Sequence, residues 1–295
     1  MITGAVNRQE LLRKRHLSRP TLSTTFKTFF DNPLTPTQIW QVLPADFSSP
    51  WVYGVDGKWL KRRGVFIIHR NVVTRENIYW SFHSSESYAA LGHDLGVLSG
   101  LIGKWLPVGV ISDWKGAIVS GVASRLGNIP HQRCLTHVVR FTDRLLPRRS
   151  PFAATVELRL IAQQLPHITT VEKKRAWLAA LISWEEHYGH MLQEKTIGAG
   201  TQKKWWYTHG NLRRGWRLLT HNWDPFFIHL DYPLIPKSNN SLEGVISQAS
   251  NKLINHRGMK VSQQASFLCW YFTFTRIKTK QDLKKLWGCW KNSNN

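Results

Sequence analysis

The 295-residue sequence predicts an α/β fold: a mixed five-stranded sheet with flanking helices, interrupted by an all-α insertion and preceded by a small N-terminal helical segment. Three patterns lead to it. Between residues 51 and 84, apolar and aromatic side chains come in short runs at the period of strands. Strand and helix patterns then alternate up to residue 135. From 152 to 236 the spacing is helical only.

Taken in order, residues 8–30 place Leu11, Leu12, Leu17, Leu22, Phe26, Phe29 and Phe30 at helical intervals broken at Ser18-Arg19-Pro20. Leu17 to Leu22, followed by Thr24-Thr25-Phe26-Lys27, reads as the turn and second helix of a helix-turn-helix. Thr21, Ser23, Thr24 and Lys27 would then face a DNA groove. Residues 1–35 are accordingly expected to form a DNA-binding segment, and 36–50, with Pro36 and Pro44, a linker. Trp51–Leu60, Gly64–Asn71 and Asn77–Ser84 are expected as an antiparallel meander with tight basic turns such as Lys61-Arg62-Arg63. Tyr88, Leu91, Leu95, Leu98, Leu101 and Ile102 mark a helix, Val108–Ser112 a strand, Ala117–Leu126 a helix and Pro130–Leu135 a further strand. This order is that of an RNase H-like core, its first part spanning 51–150.

Within the insertion, 151–236, Thr169-x-x-Glu172 reads as a capping box, and Trp177, Leu181, Trp184, Tyr188 and Met191 share one apolar face. Leu212, Trp216, Leu219 and Trp223 mark another. Six of the 15 Trp lie here and read mostly as helical core. Trp205-Trp206 stands beside Lys203-Lys204, a pairing also suited to stacking on unpaired bases. Residues 237–295 complete the core with a helix starting near Asn239, an apolar run Phe267–Phe274 and a basic tail.

Charge narrows the partner. Lys and Arg number 40 against 18 Asp and Glu, giving 40 − 18 = +22, a surplus that attracts polyanions. No run of about 18 apolar residues suggests a spanning helix, and Arg13, Lys14 and Arg15 are not followed by a signal-type apolar core. Three well-separated cysteines, Cys134, Cys269 and Cys289, favour a reducing compartment over a disulfide framework. The expected setting is cytoplasmic, on the nucleoid if the source is bacterial, with nucleic acid as partner and no membrane.

Three acids stand out against this background. Asp56 ends the apolar run Trp51-Val52-Tyr53-Gly54-Val55, Asp113 ends Val108-Gly109-Val110-Ile111-Ser112, and Glu243 lies just inside a helix start. After residue 236 the only other acid is Asp282. A desolvated carboxylate is costly unless it meets a cation. Three of them in a basic protein point to a cage for two Mg²⁺ (or Mn²⁺) ions about 3.5–4 Å apart, cutting a phosphodiester backbone. For Glu243 alone, a helix-start acid favoured by the macrodipole explains the residue equally well. Glu76, Glu86 and Asp94 read as surface acids.

Val55-Asp56-Gly57-Lys58, Ile111-Ser112-Asp113-Trp114-Lys115-Gly116, Gln132-Arg133-Cys134-Leu135-Thr136-His137 and Asn239-Asn240-Ser241-Leu242-Glu243, then Lys252 and Arg257-Gly258, occur in this order over about 200 residues. In this they resemble DDE-type transposases, close to the Mutator-like group and related bacterial insertion-sequence enzymes. The resemblance implies an RNase H-like fold, divalent metal on Asp56, Asp113 and Glu243 as catalytic triad, and binding to terminal inverted repeats and target DNA as a homodimer or higher oligomer. It also puts Lys58, Lys115, Arg133, His137, Lys252 and Arg257 near DNA; the basic-aromatic run adds Lys203, Lys204, Trp205 and Trp206. The family's longer, often zinc-bearing N-terminal DNA-binding region is expected to be absent or cut short in this sequence. His131-x-x-Cys134-x-x-His137 offers three soft ligands where structural zinc needs four, so packing or DNA contact is the expected role. Two other classes would carry the same acids: an RNase H-like nuclease without strand transfer, and a non-enzymatic DNA-binding derivative in which the triad survives as a relic.

Overall fold

The computed structural model describes residues 8–16, 18–198, 204–254 and 258–293. In chain order the first elements are α1 (Arg8–Arg15), α2 (Arg19–Asp31), α3 (Pro36–Val42), β1 (Val52–Trp59), β2 (Val65–Asn71) and β3 (Glu76–His83). There follow α4 (Tyr88–Ile102), β4 (Gly109–Ser112), α5 (Gly116–Leu126), β5 (His131–Arg133) and α6 (Leu135–Leu145). Next come α7 (Ala153–Gln164), α8 (Val171–Tyr188), β6 (Lys195–Ile197), β7 (Trp205–Tyr207), α9 (Gly210–Thr220) and α10 (Ile228–Asp231). The chain closes with α11 (Asn240–Ile254), α12 (Val261–Thr275) and α13 (Lys280–Asn292). The fold is α/β, mostly helical, with a mixed five-stranded sheet ordered β3-β2-β1-β4-β5. No described helix is long and apolar enough to cross a membrane.

Two compact units share the chain. One takes Met1–Val110, Lys115–Ile129 and Asn240–Asn295, the other Ile111–Trp114 and Pro130–Asn239. In the first, β1, β2 and β3 pair antiparallel, with Val55 opposite His69 and Asp56 opposite Ile68. Side chains alternate across a pleated sheet, so each strand feeds two apolar layers. Tyr53, Val55, Val65 and Ile67 pack against Leu91, Leu95 and Leu98 of α4 and Ile118 and Val122 of α5. Phe66, Ile68 and Trp80 face the other way, onto Leu242 and Ala249 of α11 and Phe267 and Phe272 of α12. Because both faces are covered, β2 is buried along its whole length.

Several expectations need correcting in this unit. Residues 36–50 are not a bare linker. Thr35 and Gln38 form a capping box with Pro36 at the first turn, and the short helix α3 buries Ile39 and Trp40. The basic tail is helix α13, capped by Thr279 and Asp282, with Leu286 buried. The surface reading of three acids also fails. Asp94 is fully buried, the Glu86 carboxylate is only 5% exposed against Lys115, and Glu76 pairs with the buried Arg276 at 3.2 Å. In the N-terminal segment Thr21, Ser23, Thr24 and Lys27 are exposed as expected. The opposite side of α2 is fixed by Phe29, whose ring stacks on Trp290 at 4.6 Å and meets Trp270 edge-on at 5.7 Å.

The second unit packs α6 to α10 around Leu135, Leu158, Trp177, Trp184, Leu212 and Phe226. Its two central indoles satisfy their N–H groups on backbone carbonyls, Trp177 on Ile161 at 2.8 Å and Trp184 on Ala154 at 2.9 Å. Helix α8 is capped by Thr170, one residue later than the sequence suggested, since it is Thr170 Oγ1 that accepts the Lys173 N–H. The insertion is also not all-α. Strands β6 and β7 pair antiparallel with Lys195 opposite Tyr207 and Ile197 opposite Trp205. Three-residue strands are too short to show a period, and their Trp residues fit the helical pattern equally well.

Candidate functional site

Asp56 lies within β1 rather than at its tip, where burial gives way: Val52 to Asp56 are buried, Gly57 and Lys58 half-buried and Trp59 exposed. Its Oδ1 accepts the Gly57 N–H at 2.8 Å. The pleat settles which way it faces. Cross-strand partners share a face, and Ile68, opposite Asp56, belongs to the layer that holds Leu242 of α11. Asp56 therefore points to the α11 side of β1.

Glu243 sits in the first turn of that helix, half-buried, directly after the fully buried Leu242. A carboxylate there is favoured by the unpaired N–H groups of a helix start. The first unit thus brings Asp56 and Glu243 to the same side of its strands. Lys252 is half-buried in the last turn of the same helix, while Arg257 lies outside the described residues.

Gly57 faces the opposite layer. A Cβ at Gly57 would come 2.8 Å from Val65 Cγ2 and 3.2 Å from Glu86 Oε1, so the position excludes side chains. The Glu86 carboxylate packed there takes a 2.7 Å ion pair from Lys115, whose side chain is 43% exposed at the N-cap position of α5. Lys115 thus has a partner within the chain.

In the second unit Asp113 follows β4 directly and is half-buried. Trp114 holds φ of 70°, a left-handed conformation that non-glycine residues seldom adopt. The turn is pinned from both sides. Trp114 N–H donates to Ser112 Oγ at 3.1 Å, Ser112 Oγ bonds His131 Nε2 at 2.8 Å, and the Trp114 ring lies 4.7 Å from that imidazole. Burial lowers the His131 pKa to about 4, although Asp113 pulls it upward, so the ring is neutral at pH 7. Burial likewise lowers Arg133 to about 10 against the same opposing charge; it stays cationic, its guanidinium 5.3 Å from the Phe226 ring centroid. Asp113 is therefore placed near one neutral and one positive side chain.

Cys134 and His137 fall one helical turn apart at the start of α6. Cys134 is fully buried, and its Sγ accepts the Asn239 N–H at 3.2 Å. Its own N–H donates to Ser112 O at 2.8 Å, and Leu135 N–H donates to Lys237 O at 3.0 Å. The backbone at Cys134 and Leu135 thereby ties β4 and the segment leading to Asn239 to the start of α6, and the thiol adds one bond to that segment. His137 is half-buried on the first turn.

Trp205 and Trp206 are 47% and 42% exposed, unlike Trp177 and Trp184 at 2% each. Lys195 Nζ stands 4.2 Å from the Trp205 ring centroid, and Arg213 stands 4.0 Å from that of Tyr207. The hairpin is an exposed basic-aromatic surface. Lys204 is exposed beside it, and Lys203 lies outside the described residues.

Sequence reasoning missed Asp94. Its carboxylate meets His83 Nε2 at 2.9 and 3.0 Å, Ser81 Oγ at 2.5 Å, His69 Nε2 at 3.4 Å and His93 Nδ1 at 3.5 Å. The signal was present, since Asp94 falls on the helical stripe of Leu91, Leu95 and Leu98. Neither a protein-family model nor a curated protein matches the sequence.

Proposed function

We propose that the chain is a DDE-type transposase with an RNase H-like core, binding transposon-end DNA and catalysing metal-dependent strand cleavage and strand transfer. One arrangement carries this reading. Asp56 faces the α11 side of β1, Glu243 opens α11, and Asp113 follows β4, the strand next to β1 in the sheet. The sheet order β3-β2-β1-β4-β5 is compatible with an RNase H-like core.

The donor set fits the ion expected. Three carboxylates offer hard oxygens of the kind Mg²⁺ or Mn²⁺ takes, and Asp56 is set on a strand held on both faces. Two such ions, held by Asp56, Asp113 and Glu243, would supply Lewis-acid stabilisation of the phosphate and activation of the attacking oxygen. The remaining chemistry belongs to the side chains. Arg133 and Lys115 flank Asp113 in sequence or charge and suit phosphate oxygens. The exposed pair Trp205 and Trp206, beside Lys195 and Lys204, suits unpaired bases at a cleaved end. A formal charge of +22 supports a long phosphate footprint with strong salt dependence.

The test is Asp113→Asn, with Asp56→Asn and Glu243→Gln alongside, assayed on duplexes carrying inverted repeats that flank the gene. Mg²⁺-dependent nicking should fall by at least roughly 10³-fold while gel-shift affinity stays within a few-fold. Nicking retained by Asp113→Asn would overturn the assignment of the triad. Cleavage without any joined product would make the chain a nuclease instead.

A further inference from the structure

Asp94 does more than fill a hole in the core. Its carboxylate is fully buried, and the polar groups that meet it, Ser81 Oγ and one nitrogen each of His69, His83 and His93, can all donate to it, the surroundings of an ionised carboxylate. An ionised carboxylate only accepts. Each imidazole nitrogen facing it must therefore carry the proton, which fixes the tautomer of every neutral ring around it. For His69 the proton is on Nε2, so Nδ1 accepts the Tyr53 hydroxyl at 2.7 Å, and that ring is used up internally. For His83 the proton is on Nε2 and the lone pair on Nδ1; for His93 the proton is on Nδ1 and the lone pair on Nε2. Among the described residues no hydrogen bond engages either of those outer nitrogens.

His83 and His93 line one surface hollow together with Ser84, Ser85 and Ser87. Their ring centroids are 6.2 Å apart, at 77° to one another. Two imidazoles on one tetrahedral ion with Zn–N near 2.0–2.1 Å have centroids roughly 5 Å apart. The difference is within reach of a side-chain rotation of His93, which is 67% exposed. We infer that His83 Nδ1 and His93 Nε2 form a binding site for a divalent transition ion of the Zn²⁺ class, oriented from beneath by Asp94. A carboxylate that takes the inner N–H of a metal-binding histidine fixes its ring and raises its basicity; here a single carboxylate serves two rings. With two protein ligands the site stays open, its other positions taken by water, and it is separate in residues and in ion preference from the carboxylates at Asp56, Asp113 and Glu243.

The full chain, untagged and stripped with chelator, is titrated with ZnCl₂ by calorimetry in excess Mg²⁺, which occupies hard-oxygen sites. His93→Ala, at an exposed position, should fold like the parent by circular dichroism and bind one equivalent fewer. Asp94→Asn should lower the affinity of that equivalent about 10- to 100-fold; should it fail to fold, His93→Ala alone decides. Unchanged stoichiometry and affinity in His93→Ala would overturn the site and leave the Asp94 cluster purely structural. Because the readout is zinc binding, this result is independent of any nicking activity.

Discussion

Asp94 and Asp56 are both more than nine-tenths buried, yet the protein handles the two charges in opposite ways. Asp94 lies on the inner stripe of α4, in the middle of an apolar layer, and the surroundings answer it with three imidazoles and a hydroxyl. Asp56 lies where β1 runs out of cover, two residues before the half-buried Lys58 and three before the exposed Trp59. A carboxylate sealed within a layer must be satisfied by the fold itself. A carboxylate at the margin of one is reachable from outside. Burial alone does not separate a structural acid from a chemical one; what surrounds the acid, and where cover ends, does.

Stability measurements should sharpen that contrast most. Asp94→Ala leaves His69, His83 and Ser81 facing a void in a buried network and should cost about 3–5 kcal/mol. Asp56→Ala should cost less, about 1–2 kcal/mol, since Asp56 lies where the cover of β1 ends and not within a sealed network of histidines. Urea unfolding of both variants checks this, and equal losses would erase the distinction.

Acid titration gives a smaller effect. The folded-state pKa of Asp94 is about 2, below its ordinary value of 3.8. The unfolded chain thus takes up the proton first, and the stability this group contributes is fully present above pH 4 and lost as pH falls toward 2. The difference corresponds to about 2 kcal/mol. The groups facing Asp94 are His69 and, through it, Tyr53, with Ser81 and His83 on β3, Tyr79 nearby and His93 on α4. In Asp94→Asn, pH-dependent unfolding should lose this step; an unchanged acid limb would assign it to other carboxylates.

The smallest effect on stability is expected at the hairpin. Trp205→Ala with Trp206→Ala should shift unfolding by no more than about 0.5 kcal/mol per site, because both rings are exposed. Retention of single-stranded DNA should nevertheless weaken. A double variant that unfolds far earlier, with unaltered retention, would return these residues to a core role.

Much of this was legible beforehand, for a simple reason. The strands β1 to β4 and helices α4 and α5 carry long enough apolar patterns to show a period, and their limits fall within one or two residues of expectation. β6 and β7 do not, at three residues each. Helix α3 is masked in the sequence by Pro36, a residue common in loops that here occupies a helix first turn, although the Thr35-x-x-Gln38 cap is readable. For the acids, position along an element could be read from sequence, but facing could not. That Asp56 turns to the α11 side follows only from pairing with Ile68. That Asp94 gathers histidines from β2 and β3 depends on strands brought together by the sheet.

The layer under α11 and α12 also sets a timetable for synthesis. Trp80 rests against Phe272, their ring centroids 5.7 Å apart, across 272 − 80 = 192 residues of chain. At roughly 5–20 residues per second a ribosome needs about 10–40 s to make that stretch. Throughout that interval Phe66, Ile68 and Trp80 have no α12 to cover them. A nascent chain stalled before α12 would display this aromatic strand face to its neighbours, making the last fifth of the message decisive for whether the first third stays soluble.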